Sequence, residues 1–308
     1  MKPNLETRII NLTFRNPITV ASGTFGTKDE YAQHVRYEKL GAMITKTITV
    51  NPRQGNPMPR ICETTGGMLN AIGLQNKGLD EFLENKIPYF AKIKTPLIVN
   101  IAGEAEGDFS TLAKALNAHS NVVKALEVNL SCPNIEHGGA GFMKKSELMT
   151  EAIRAVRAAT TMPIFAKLSP ELGDVVAIAG KVLEAGADGL SLINTLKGMA
   201  IDIYQRKPRL ANMTGGLSGP AIKPVALRYV YEVKKAHRVP VIASGGIMTT
   251  QDALEFLIAG ADLLAIGTAN FINPRATMDI LDGLQQYCQK QRIQTIDELR
   301  GSLQTVSR

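Results

Sequence analysis

Cys132 closes an apolar run in the stretch EVNLSCPNIEHGG (127–139), with Asn129 and Asn134 on either side. A thiol with an unperturbed pKa of about 8.5 keeps a usable thiolate fraction when a lysine or a backbone dipole is near, so it can remove an activated carbon-bound proton. Each flanking carboxamide brings two donors and an acceptor, which suits a planar heterocycle carrying C=O and N–H groups. Glycines in IEHGGAGF (135–142) supply the freedom that a moving lid needs. The plain alternative is a buried, inert thiol. Cys62 and Cys288 have no such surroundings and read as structural, and His137 reads as solvated. Four scattered histidines show no pairing for a nucleophilic triad. Three cysteines without a CxxC pair give no disulfide framework and no ligand set for a structural zinc or an iron–sulfur cluster, so no metal site is expected in this chain.

Further polar residues end other apolar runs: Lys46, Asn100, Asn129, Lys167, and Asn194 with Thr195. Any one of these can be a satisfied structural group, but together they define a polar level at the same end of several strands. Two glycine signals accompany them, Gly245-Gly246 in ASGGI (243–247) and Gly267-Thr268 in AIGTA (265–269). Glycine lets backbone N–H groups approach a phosphate, and a following helix N-terminus adds a favourable dipole. Tight turns alone are the bland reading, and the phosphate can belong to substrate or cofactor. Lys167 can place a cation beside the N1/O2 edge of a flavin, where negative charge gathers on reduction, or it can form a Schiff base as in barrel aldolases. Aldolase chemistry leaves Cys132 without a task.

The elements that must position these groups are legible as a repeat. Eight β-rich runs, at 17–23, 42–49, 96–103, 125–132, 163–169, 189–195, 240–246 and 263–269, are mostly continuous rather than alternating, as strands of a covered parallel sheet should be. Helical patterns lie between them, clearest at 147–160, 174–187 and 249–261; in the last, Thr249 or Thr250 caps the start and Gly260 the end. The α/β repeat predicts a (β/α)8 TIM barrel, with an open doubly wound sheet as the rival. Residues 7–17 predict an N-terminal hairpin that plugs the barrel's N-terminal end. Residues 50–95 and 196–239 are too long for simple connections and predict rim insertions, walls and lids of one domain spanning 1–308.

Composition sets the remaining bounds. The 308 residues are 44% hydrophobic and 20% charged, ordinary for a globular protein, and no apolar run is long enough to span a membrane. The N-terminus lacks a signal-peptide pattern, which predicts a cytoplasmic protein. The net charge of +7 is spread along the chain without long basic runs, favouring anionic small molecules over nucleic acid.

NLSCPN (129–134) resembles the signature of the dihydroorotate dehydrogenases, FMN enzymes of pyrimidine biosynthesis. The likeness covers nearly the whole chain, with ASGTFG (21–26), TKTIT (45–49), GMLNAIGLQN (67–76), NTLKGMAIDI (194–203) and TGGLSGPAIKP (214–224) in order, and several of these are most similar to class 1B. The resemblance implies that Cys132 is the base for the C5 proton of dihydroorotate while hydride leaves C6. It implies that Asn70, Asn129, Asn134, Asn194 and Thr195 hold the substrate, that Lys46 lies between substrate and flavin, and that Lys167 lies near the flavin's N1/O2 edge. Ser22, Gly23, Asn100, Asn129, Gly219, Gly245, Gly246, Gly267 and Thr268 would contact FMN. Two places depart from the family pattern: Lys77 follows Asn76 where proline is usual, and Met143-Lys144-Lys145 follows Phe142 where glycine and acidic or small residues are commoner. By the same resemblance, the chain forms a homodimer core within a heterotetramer, with a partner subunit carrying FAD and a [2Fe-2S] cluster that passes electrons to NAD. The alternatives are a fumarate-dependent class 1A-like homodimer, a tRNA-dihydrouridine synthase-like enzyme, and a non-catalytic flavin- or phosphate-binding barrel. Only about 40 residues follow the eighth run, short for the RNA-binding domain of the tRNA enzymes.

Overall fold

The computed structural model describes residues 2–130 and 142–304. A hairpin of β1 (Thr7–Ile9) and β2 (Leu12–Phe14) precedes the first barrel strand, β3 (Ile18–Val20), and β4 (Met43–Ile44) follows it. A second hairpin, β5 (Ile61–Thr64) and β6 (Gly67–Asn70), lies outside the barrel. The barrel resumes with β7 (Leu97–Ile101), β8 (Val123–Asn129), β9 (Ile164–Leu168) and β10 (Gly189–Leu192). The chain leaves it again in β11 (Leu196–Met199), β12 (Ile201–Asp202), β13 (Lys207–Pro208) and β14 (Thr214–Ser218), and returns with β15 (Val241–Ala243) and β16 (Leu263–Ile266).

All eight expected runs are strands of one parallel sheet, in the order β3-β16-β15-β10-β9-β8-β7-β4. Its two ends meet where the Gly41 amide donates to the Ile18 carbonyl at 2.8 Å, which makes a barrel and not an open sheet. Glycine is required there, because a Cβ on residue 41 would sit 2.0 Å from the Asn16 carbonyl oxygen. Helices such as Glu106–Asn117, Val175–Glu184, Lys223–His237 and Thr250–Ala259 cover the outer face. The expected cap is present: Thr249 Oγ1 accepts from the Asp252 amide, Asp252 returns the bond, and Gly260 ends the helix at φ 112°.

The two faces of each strand have different neighbours, as the period of two requires. Val99, Leu126, Val128, Ile164, Ala166 and Leu190 belong to the cluster shared with the helices. Ala42, Ile44, Ile98, Ala125, Phe165, Ile242, Leu263 and Ala265 form a second cluster inside the ring, joined by Ile9 and Phe14 of the hairpin. Phe14 is wholly buried, so the hairpin plugs the barrel's N-terminal end as expected of residues 7–17. Cys288, read as structural, is also wholly buried, and burial pushes its thiol pKa up.

At the other end, the two long connections join each other. β5, β6, β11 and β14 form one antiparallel sheet in the order β11-β14-β6-β5, pairing Asn70 with Gly216 across the rim. The stretches 50–95 and 196–239 also contain ordinary barrel helices, including Ile87–Phe90 and Lys223–His237, so the inserted part is narrower than those spans. Among the described residues no helix is long and apolar enough to cross a membrane.

Candidate active site

A cavity of about 350 Å³ opens at the C-terminal mouth of the barrel. Its wall brings together Ser22, Gly23, Lys46, Asn70, Asn129 and Lys167 with Asn194, Thr195, Gly219, Gly245, Gly246, Gly267 and Thr268. These come from seven barrel strands or their ends and from the rim sheet, so only the closed barrel unites them. Cys132, Asn134 and His137 lie outside the described residues. Asn100 does not line the cavity: it is fully buried, level with Glu127 in the β7–β8 register.

The carboxamides are held in place. Asn194 Nδ2 donates to Asn129 Oδ1 at 3.4 Å, and Asn194 Oδ1 accepts from the Thr195 amide at 2.8 Å. Asn70 Nδ2 donates to the Gly216 carbonyl at 3.3 Å, which ties its position to the rim sheet. Lys46 stands half-buried at the end of β4; burial and the nearby Arg60 charge lower its pKa. An ammonium short of solvent and facing a second cation gains from an anionic ligand. Arg60 itself donates to Gln75 Oε1 at 3.0 Å. Lys46, Arg60 and Lys167 give the wall three cations, and among the described residues it carries no carboxylate.

The glycines expose backbone to the cavity because packing behind them forbids side chains. Gly246, at φ 79°, would place a Cβ 2.7 Å from Lys223 Cβ and 2.9 Å from the Gly219 carbonyl oxygen. Gly245, at φ 121°, would meet Ala226 Cβ at 2.7 Å. The helix Lys223–His237 therefore presses on this turn, and the price is a stretch of wall without side chains. Thr268 Oγ1 donates to Ser218 Oγ at 2.8 Å and joins the end of β16 to the rim strand β14.

Beneath the cavity lies a polar layer in which Asn100 and Lys167 join Glu127 and Ser191, two residues that the sequence alone does not single out. Glu127, 1% exposed, accepts from Asn100 Nδ2 and from Ser191 Oγ, the latter at 2.6 Å, and Lys167 Nζ stands 3.5 Å from it. The signal was present, since a glutamate interrupts the apolar run ALEVNL (125–130) two residues before Asn129.

A parallel barrel with lysines, carboxamides and bare glycine backbone converging at its C-terminal mouth presents the donors that an anionic or phosphate-bearing ligand requires. The chain belongs to the dihydroorotate dehydrogenase family, whose model matches residues 4–288. Three relatives, each called "Dihydroorotate dehydrogenase B (NAD(+)), catalytic subunit", are 50% identical to it. The protein of Alkaliphilus metalliredigens aligns over 302 residues, 98% of this chain and 99% of its own length. That of Geotalea uraniireducens aligns over 304 residues, 99% of each chain, and that of Geobacter metallireducens over 303 residues, 98% of this chain and 99% of its own.

The family is flavin (FMN)-dependent, and the residues present fit such a group. The glycine turn leaves bare backbone at the wall because packing behind it admits no Cβ, and Lys167 is a cation at the wall. Asn100 Oδ1 is a buried acceptor with no hydrogen-bond partner among the described residues, but it lies below the wall and is no part of that fit. Gly219, Gly245, Gly246, Gly267 and Thr268 would hold the phosphate end, and Lys167 with Ser22, Gly23 and Asn129 the ring system.

Proposed function

We propose that this chain oxidises (S)-dihydroorotate to orotate in de novo pyrimidine (UMP) biosynthesis, with FMN in the barrel mouth. The observation that carries the reading is the single cavity uniting Lys46, Asn70, Asn129, Asn194 and Thr195 with Lys167 and the glycine wall. When bound, FMN supplies the two-electron acceptor for the hydride that leaves C6 of the substrate. Cys132 takes the C5 proton as the general base, and the electron pair of that C–H bond becomes the C5=C6 double bond. Asn70, Asn129, Asn134 and Asn194 orient the ring through its C=O and N–H groups, with Thr195 beside them. Lys46 meets the substrate carboxylate, an anion that its desolvated ammonium does not find among the described residues.

The relatives' name, "catalytic subunit", together with the three cysteines of this chain, supports a partner that carries FAD and a [2Fe-2S] cluster and delivers electrons to NAD. In this reading the chain is one barrel domain over 1–308 in a cytoplasmic homodimer core, assembled with the partner as a heterotetramer.

The test is product formation by the FMN-loaded chain. With L-dihydroorotate and a dye as artificial acceptor it should form orotate, and with NAD or fumarate alone it should form almost none until the partner subunit is added. Absence of orotate with the dye would overturn the reading. Orotate formed with fumarate would assign the class 1A behaviour instead.

A further inference from the structure

Glu127 is the only carboxylate among the described residues that ion-pairs with a cation of the cavity wall, yet it does not reach the cavity itself. It sits on the inward face of β8, with Ala125 of the apolar barrel cluster two residues below and Asn129 of the wall two residues above. Burying a carboxylate is costly unless its lone pairs and charge are met. Here both oxygens are occupied: Asn100 Nδ2 donates to Oε2 from β7, and Ser191 Oγ donates to Oε1 at 2.6 Å from β10. The charge is met by Lys167 on β9, whose Nζ is 3.5 Å from Oε2; the two side chains are 1% and 9% exposed. Of these four residues only Lys167 lines the cavity. The anion therefore acts on a ligand there through one group, the ammonium of Lys167.

We propose that Glu127 is a positioning residue that holds the Lys167 ammonium fixed at the wall where FMN binds. The inference rests on the FMN reading above. A lysine arm has four rotatable bonds, and without an anchor its head would leave the wall or swing across the cavity. Asn100 on the adjacent strand β7 and Ser191 on β10, one strand beyond β9, fix the carboxylate from two directions, so the anchor cannot follow the lysine if it moves. A glutamine at 127 would keep an acceptor and the volume but lose the charge, which matters most for a pair this far from solvent.

The experiment is a double-mutant cycle read out by FMN affinity, measured on apo-protein by the quenching of FMN fluorescence. Glu127→Gln should weaken FMN binding about tenfold when Lys167 is present, and by less than about twofold in a Lys167→Met background, because the effect passes through that lysine. Equal losses in both backgrounds, or none in either, would overturn the inference. If Glu127→Gln does not fold, Ser191→Ala serves, since it loosens the carboxylate and leaves its charge. A loss of about threefold confined to the Lys167 background supports the inference, and no loss overturns it. Failure of the wild-type chain to bind FMN would instead overturn the cofactor reading, so the two failures are distinct.

Discussion

The two ends of the barrel are built on the same strands and do opposite work. β8 carries Ala125, Glu127 and Asn129 along its inward face, and β9 carries Phe165 and Lys167. The lower residues pack with Phe14 and Ile9 of the hairpin into an apolar plug, whereas the upper ones form a polar layer and then a cavity wall. The change takes one pleat, two residues or about 7 Å of strand. Stability and chemistry are thus separated along the barrel axis, and each end is expected to fail in its own way.

The largest effect should come from the chemistry at the mouth. Cys132→Ala should slow flavin reduction by dihydroorotate at least about 1,000-fold while orotate binding persists, as rapid mixing and equilibrium titration would show. An unchanged rate would remove the proposed base. At the plug, Phe14→Ala should cost about 3–5 kcal/mol of unfolding free energy in a denaturant titration, with FMN affinity of the folded fraction intact. A loss of FMN affinity in the folded protein would break the separation of the two ends.

Lys46→Met sharpens it from the other side. It should lower kcat/KM for dihydroorotate about a hundredfold, because a charged contact to the substrate is lost. Its Tm should not fall. The lowered pKa of Lys46 means that folding penalises its charged form, a penalty present below the folded pKa and relieved as pH rises through it, so a neutral residue removes a cost. The smallest effect concerns a structural group near the mouth. Burial pushes the Asp252 carboxyl up, but bonds from Lys223, the Met248 amide and Thr249 outweigh it and hold the pKa below its usual value. Asp252→Ala should cost about 1–2 kcal/mol near neutrality, and the difference from wild type should fade as pH falls through the folded pKa of Asp252, below the ordinary carboxylate range.

Much of this architecture is legible in the sequence because it is local. Continuous β-rich runs mark the eight barrel strands, Thr249 and Gly260 mark the ends of their helix, and the strand-end residues Lys46, Asn129, Lys167 and Asn194 do reach one cavity. What escapes depends on neighbours distant in the chain. The end of an apolar run does not fix height in a barrel, since adjacent strands are staggered: Asn100 ends its run but is level with Glu127, one pleat below the wall. Glu127 reads as an interruption until Ser191, 64 residues on, is seen to meet it. The pairing of Asn70 with Gly216 joins stretches 146 residues apart, and no periodicity within either one announces the other.

The central claim is that the polar end of the barrel oxidises dihydroorotate with its own flavin. Anaerobic mixing of the FMN-loaded chain with L-dihydroorotate, with no acceptor present, tests it most directly. The account predicts that the flavin absorbance bleaches, with one orotate formed per flavin. A flavin-loaded protein that does not bleach would contradict it.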